Sequence, residues 1–289
     1  METIRIIGVP EHFNYVWEKV VESQPFLDQE IKLEWQNESR GSGEMNKAIR
    51  EGNADVAIVL TESFVKDKIE GNPGSIIGFH VKSPLVWGIH VSGRSKVTEL
   101  GELKNAPFLI SRFGSGSHLM AFLLAEREKW DFSVLEFEVI GNMEGAKKSF
   151  ISDIPKTFLW EKYTTKPLVD QGSFKRIGEI PTPWPCFVIV ASDESIQKHR
   201  EILRKLRDLV YEKSSTLRAD PDFPIQLSDK YGILQEDIQA WLKQTQWAED
   251  SRVDLEIFEN TMNILKRLGL IQKKISPDNF VFKPLVQAK

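Results

Sequence analysis

The residues whose types and spacing best suit chemistry lie in the run Ser111-Arg112-Phe113-Gly114-Ser115-Gly116-Ser117-His118, which reads as a strand end entering a Gly/Ser loop and then a helix. Such a loop points unpaired backbone N–H groups and the positive end of a helix dipole at whatever lies in front of it. That combination binds anions. Arg112 adds a fork of donors suited to a carboxylate, sulfonate or phosphate. The plainer account makes Ser115 or Ser117 an N-cap, Gly114 and Gly116 turn residues, and Arg112 a surface charge. A second run built alike, Ser39-Arg40-Gly41-Ser42-Gly43, precedes another helix about 70 residues earlier in the chain. Two such loops imply two similar lobes facing one ligand, with Arg40, Gly41, Ser42 and Gly43 opposite Ser111, Arg112, Gly114, Ser115, Gly116 and Ser117.

Other side chains at strand ends join these candidates. His118 follows the loop and either donates to a ligand or is solvated. Glu62 and Glu161, one from each lobe, either hold an amine or ring N–H or form salt bridges. Trp160 and Trp184 stack on a planar or cationic ligand or fill the core. His12, Thr61 and Asn142 also stand at turns after strands. Trp17, Trp87 and Trp241 read as core. The sequence contains no GxSxG, GxxxxGK[ST] or HExxH motif, and no GxGxxG after its first strand. Cys186 is the single cysteine and lies in an apolar run, so it reads as a buried thiol, with no disulfide or cysteine-ligated metal site. No catalytic residue, cofactor or metal ligand is assigned. His12, His90 and His118 are the histidines placed to act on a substrate if the cleft were catalytic.

The elements that hold these residues follow from apolar periodicity. Ile4 to Val9, Ile31 to Trp35 and Asp55 to Leu60 are strands separated by helices, which predicts a parallel α/β sheet with ligands at the carboxyl ends of its strands. Ile76 to Phe79 and Pro84 to Val91 read as two further strands, the second reaching into another lobe. The strand–loop–helix plan then restarts at Phe108. Pro181 to Pro185 reads as a rigid extended crossing, followed by Cys186 to Ala191 as a strand returning to the first lobe. Amphipathic helices follow, and Pro277 and Pro284 suggest a loose tail. The expected division is 1–92 with 187–289 as one discontinuous lobe and 93–186 as the other.

The chain has 289 residues, 41% hydrophobic and 28% charged, with formal net charge −4. Such a chain can build a large core, and its charge argues against nucleic acid as a partner. No run approaches the roughly 18 apolar residues of a spanning helix, so membrane insertion is not expected. The N-terminus enters a strand without the basic, apolar and cleavage regions of a leader. The expected location is therefore the cytoplasm, or the periplasm if a leader preceded this sequence.

The element order, the two crossings, the helical C-terminus and the motif Ser-Arg-Phe-Gly-Ser-Gly-Ser-His resemble the type II periplasmic-binding-protein fold. Within it, the chain is most similar to the group that binds sulfonates, nitrate and thiamine-pyrimidine precursors. The resemblance spans nearly the whole sequence. It implies a cleft that closes by hinge bending on a small anionic or zwitterionic solute, a sulfonate or a pyrimidine for example. It leaves any transporter or regulatory partner open. The alternative is a cytosolic pyrimidine-forming enzyme of the same fold, whose cysteine-rich motif this chain lacks.

Overall fold

The computed structural model describes residues 1–151 and 154–289. In chain order the elements are β1 (Glu2–Gly8), α1 (Tyr15–Ser23), β2 (Ile31–Asn37), α2 (Ser42–Arg50), β3 (Val56–Leu60), α3 (Thr61–Ile69), β4 (Ser75–Ser92), β5 (Phe108–Ile110), α4 (Gly116–Arg127), β6 (Phe137–Val139), α5 (Met143–Ser149), β7 (Thr157–Glu161), α6 (Lys166–Asp170), β8 (Phe174–Ala191), α7 (Asp193–Ala219), α8 (Phe223–Tyr231), α9 (Gln235–Gln244), β9 (Arg252–Val253), α10 (Glu256–Arg267) and β10 (Gln287–Ala288).

The main sheet has the order β2-β1-β3-β8-β4-β7-β5-β6. β1, β2 and β3 run parallel on one flank, and β5, β6 and β7 run parallel on the other. Between them β4 and β8 form a long antiparallel pair, from Ser75 opposite Ala191 to Ser92 opposite Phe174. β8 meets β3 through Phe187–Ala191, and β4 meets β7 through Trp87–His90. β8 thus borders the first flank and β4 the second, and the long β4–β8 pair joins them. The apolar runs of β1, Val56–Val59 of β3 and the end of β8 are buried, as expected of strands covered by helices on both faces.

The sequence reading divides each crossing into separate strands, whereas the structure keeps each one continuous. The prolines explain both results. A proline cannot donate to the ladder, and the register shifts around Pro84, opposite Pro185, and before Val86, opposite Pro181. Thr182 bridges the gap: its Oγ1 accepts from the Leu85 N–H at 3.0 Å and donates to the Trp184 carbonyl at 2.9 Å. The C-terminal tail is also firmer than its prolines suggest. Phe280 is fully buried, Phe282 N–H donates to the Ile76 carbonyl, and β10 pairs with β9. Buried apolar side chains at Val281, Leu285 and Val286 hold it down.

Candidate functional site: a cavity at the strand ends

Five strands of the main sheet end at one cavity of about 510 Å³, part of it open to solvent. Val9 and Glu11 follow β1, Arg40 to Ser42 follow β2, Leu60 closes β3, and Ser111, Arg112 and Ser115 to Ser117 follow β5. Trp160 and Glu161 close β7, while Leu85 and Trp87 of β4 and Phe187 of β8 form the wall between the flanks. Ligands of open α/β sheets sit at these carboxyl ends.

Both Gly/Ser loops reach the cavity. In the second loop Ser115 is the N-cap of α4, its side chain accepting from the His118 N–H at 3.3 Å. Its Oγ lies 3.0 Å from Ser117 Oγ, which accepts from the Ser111 N–H at 3.1 Å. These bonds fix the hydroxyls and leave the first N–H groups of α4 without helical partners. In the first loop Gly41 caps α2 at φ 85°, a conformation that excludes most L side chains. Ser42 Oγ accepts from the Leu60 N–H at 2.9 Å, tying this loop to the end of β3. Replacing Ser115 by Ala removes the cap and the Ser117 contact. The expected cost is about 1 kcal/mol of folding stability in a urea titration, and an unchanged midpoint would show that the cap is not what holds this loop.

The two arginines differ. Arg40 is exposed and turns its guanidinium onto Glu38, Nε to Oε1 at 2.9 Å and Nη2 to Oε2 at 2.7 Å. Its charge is already matched. Arg112 has no carboxylate within ion-pair distance among the described residues. It reaches from one flank to the other, its Nη1 donating to the Arg40 carbonyl at 3.1 Å. The guanidinium lies against Gly43, where a Cβ would overlap it. Burial lowers the Arg112 pKa, with Glu44 and Asp67 acting against that shift. Both arginines line the cavity, and Arg112 is the one without a carboxylate partner among the described residues.

Two acids line the same cavity. Glu161 is 3% exposed, and the hydrogen bonds to its carboxyl all go to Oε2, from Tyr163 N–H at 2.9 Å, Thr164 N–H at 2.6 Å and Thr164 Oγ1 at 2.9 Å. Glu11 Oε1 accepts from Trp160 Nε1 at 3.2 Å. Burial pushes Glu161 up to about 8, with the Glu11 charge adding to it, and burial pushes Glu11 up to about 7. The cavity is thus lined by acids as well as by the Arg112 guanidinium.

The remaining candidates lie outside this cavity. His12 is buried against Phe13 and Trp241, and burial lowers its pKa to about 3. His118 accepts from the Gly114 N–H through Nδ1 at 3.1 Å and packs among Phe113, Phe122 and Phe137. Thr61 Oγ1 donates to the Pro185 carbonyl at 2.6 Å. Trp184 Nε1 donates to Glu62 Oε2 at 2.7 Å, and this buried pair joins α3 to the crossing. Burial raises Glu62 to about 7. Asn142 caps α5, accepting from Glu144 and Gly145. Gly43 and Gly114 line a separate hollow beside Arg112.

Sequence reasoning missed Glu11, Val9, Leu60, Leu85, Trp87 and Phe187. Trp87, read as core, is buried yet faces the cavity, and its Nε1 has no acceptor among the described residues. The signal available for Glu11 was its place just past the first strand.

The sequence profile of the Ca3427-like PBP family matches residues 87–180. No curated protein matches. Among solved structures, the conserved Candida albicans CA3427 gene product is 24% identical at a TM-score of 0.87, covering 98% of this chain and 97% of that one. It is described as defining a new family with the generic periplasmic-binding-protein fold. The alkanesulfonate-binding protein SsuA from Xanthomonas axonopodis pv. citri, bound to MOPS, is 12% identical at a TM-score of 0.78, covering 100% and 99%. The periplasmic aliphatic sulphonate-binding protein SsuA from Escherichia coli is 15% identical at 0.73, covering 99% of each chain. With β4 and β8 crossing between two parallel flanks and near-complete superposition on these proteins, the chain has the type II periplasmic-binding-protein fold.

Proposed function

We propose that this protein is a binding protein for a small solute with an anionic group, and that the group sits between the N-termini of α2 and α4 beside Arg112. The observation that carries the reading is the meeting of both Gly/Ser loops and an Arg112 without a carboxylate partner in one cavity at the strand ends. Unpaired helix N–H groups and a partly desolvated guanidinium favour an anion together. Trp87, Trp160 and Phe187 offer apolar faces for the rest of the solute. The sulfonate-binding proteins of the same fold support an oxyanion as the recognised group.

In this reading residues 1–92 with 187–289 form one lobe and 93–186 the other, and β4 and β8 are the hinge. The Arg112 contact to the Arg40 carbonyl is the clasp of the closed form. The test is thermal stabilisation across sulfonates, carboxylates, phosphates and pyrimidines. A ligand at a hundred times its dissociation constant adds about 2.7 kcal/mol to folding stability. A panel in which neutral compounds give the largest shifts, and anions none, overturns the reading.

A further inference from the structure

We propose that the solute has two charged ends, and that a cationic amine on it is held by Glu11 and Glu161 while its anion lies at Arg112. This inference rests on the anion-end reading above and names the ligand class of the same cavity.

Glu161 is buried with Oε1 free of any hydrogen bond among the described residues, although Oε2 takes three. No Lys or Arg lies within ion-pair distance of Glu11 or Glu161 among the described residues, and the single basic neighbour of the pair is His12, whose Nε2 is 3.9 Å from Glu161 Oε2. That ring is 1% exposed, and its Nε2 has no hydrogen-bond partner among the described residues. The other titratable groups that act on the pair are Cys186 on β8, Tyr163 beyond β7 and Tyr231 on α8. Burial keeps His12 unprotonated and keeps the thiol and both phenols protonated, so none supplies a positive charge at neutral pH.

Glu161, withdrawn from water, and Glu11, half-buried at its side, are unfavourable together as anions without a counter-ion. An ammonium group entering between them supplies the missing charge and donors for the free oxygens. Trp160, whose indole N–H already bonds Glu11, adds an aromatic wall of the kind that attracts cations. In the empty protein the pair holds protons near neutral pH, so an arriving ammonium displaces about one of them to solvent.

The experiment is calorimetric titration near neutral pH, in two buffers of different ionisation enthalpy, with matched probes that differ only by an amine. These are aminopropanesulfonate against propanesulfonate, γ-aminobutyrate against butyrate, and aminopropylphosphonate against propylphosphonate. In at least one pair the amine-bearing member is expected to bind roughly tenfold to a hundredfold more tightly and to release about one proton. Glu161→Gln should reduce that preference to within about threefold. Glu11→Gln serves as the second variant if Glu161→Gln does not fold. Pairs that bind equally, while both members still depend on Arg112, overturn this inference and leave the anion-end reading standing. An amine preference without proton release, or one unchanged in both Gln variants, also overturns it. If no member of any pair binds, both readings fail.

Discussion

Replacing Arg112 by Ala is expected to weaken binding of an anionic solute by roughly tenfold to a hundredfold, because a charge-assisted hydrogen bond out of water contributes about 1.5–3 kcal/mol. The magnitude follows from how the side chain is placed. Arg112 is half-buried, has no carboxylate partner among the described residues and reaches across the cavity to the Arg40 carbonyl. A surface arginine with an acid beside it, as Arg40 has in Glu38, would change affinity far less. Gly43→Ala provides an independent check, since its methyl group occupies the space of the Arg112 guanidinium without removing any charge. It should weaken binding nearly as much as Arg112→Ala. Because both changes abolish one contact, the double variant should lose little more than either single one. Additive losses would show that Gly43→Ala acts by a separate route, and an Arg112→Ala protein that binds the best anionic ligand as well as wild type does would show that the guanidinium does not touch the ligand.

The parts of this site that were legible in the sequence are those set by backbone requirements. Gly41, Ser42, Ser115 and Ser117 stand out because a strand followed by a tight turn and a helix start demands small and capping residues at fixed spacing. The alternation of short apolar runs with amphipathic stretches likewise exposed the α/β plan. What stayed hidden depends on side chains meeting through the fold. Arg40 and Arg112 occupy equivalent places in similar motifs, and only the geometry shows one matched by Glu38 and the other lying on Gly43. Glu11 is one acid in a polar turn, and it acquires meaning when β7 brings Glu161 and Trp160 to it. Trp87 is an indole in an apolar run, whether it faces core or cavity. The crossings looked broken because proline disrupts local hydrogen bonding, while Thr182 and the opposing strand maintain them over a longer range.

The ligand-free protein is expected to lose stability as pH rises from about 7 to 8, on the order of 1 kcal/mol. Two buried acids and one half-buried acid determine the sign. Glu161, Glu11 and Glu62 titrate at about 8, 7 and 7 in the fold, and at ordinary carboxylate values once unfolded. Their contribution is complete below about pH 4.5, where both states are protonated, and it is lost as the unfolded chain ionises ahead of the fold. Buried His12, His80 and His90 act in the opposite direction, since burial lowers them to about 3, 4 and 4. Their contribution is complete above the ordinary histidine value near 6.5 and is lost progressively as pH falls from there towards the folded values. Above about pH 7 the histidines are nearly neutral in both states, so the acids dominate. Cys186, raised by burial, adds in the same direction at the alkaline end. Urea unfolding at half-unit steps between about pH 6.5 and 8 measures the slope, and Glu161→Gln should flatten it by removing one titrating group. Stability that stays flat or rises across that interval would mean that these carboxyls are ionised and solvated in the free protein. The cavity would then have no protons for an arriving amine to displace.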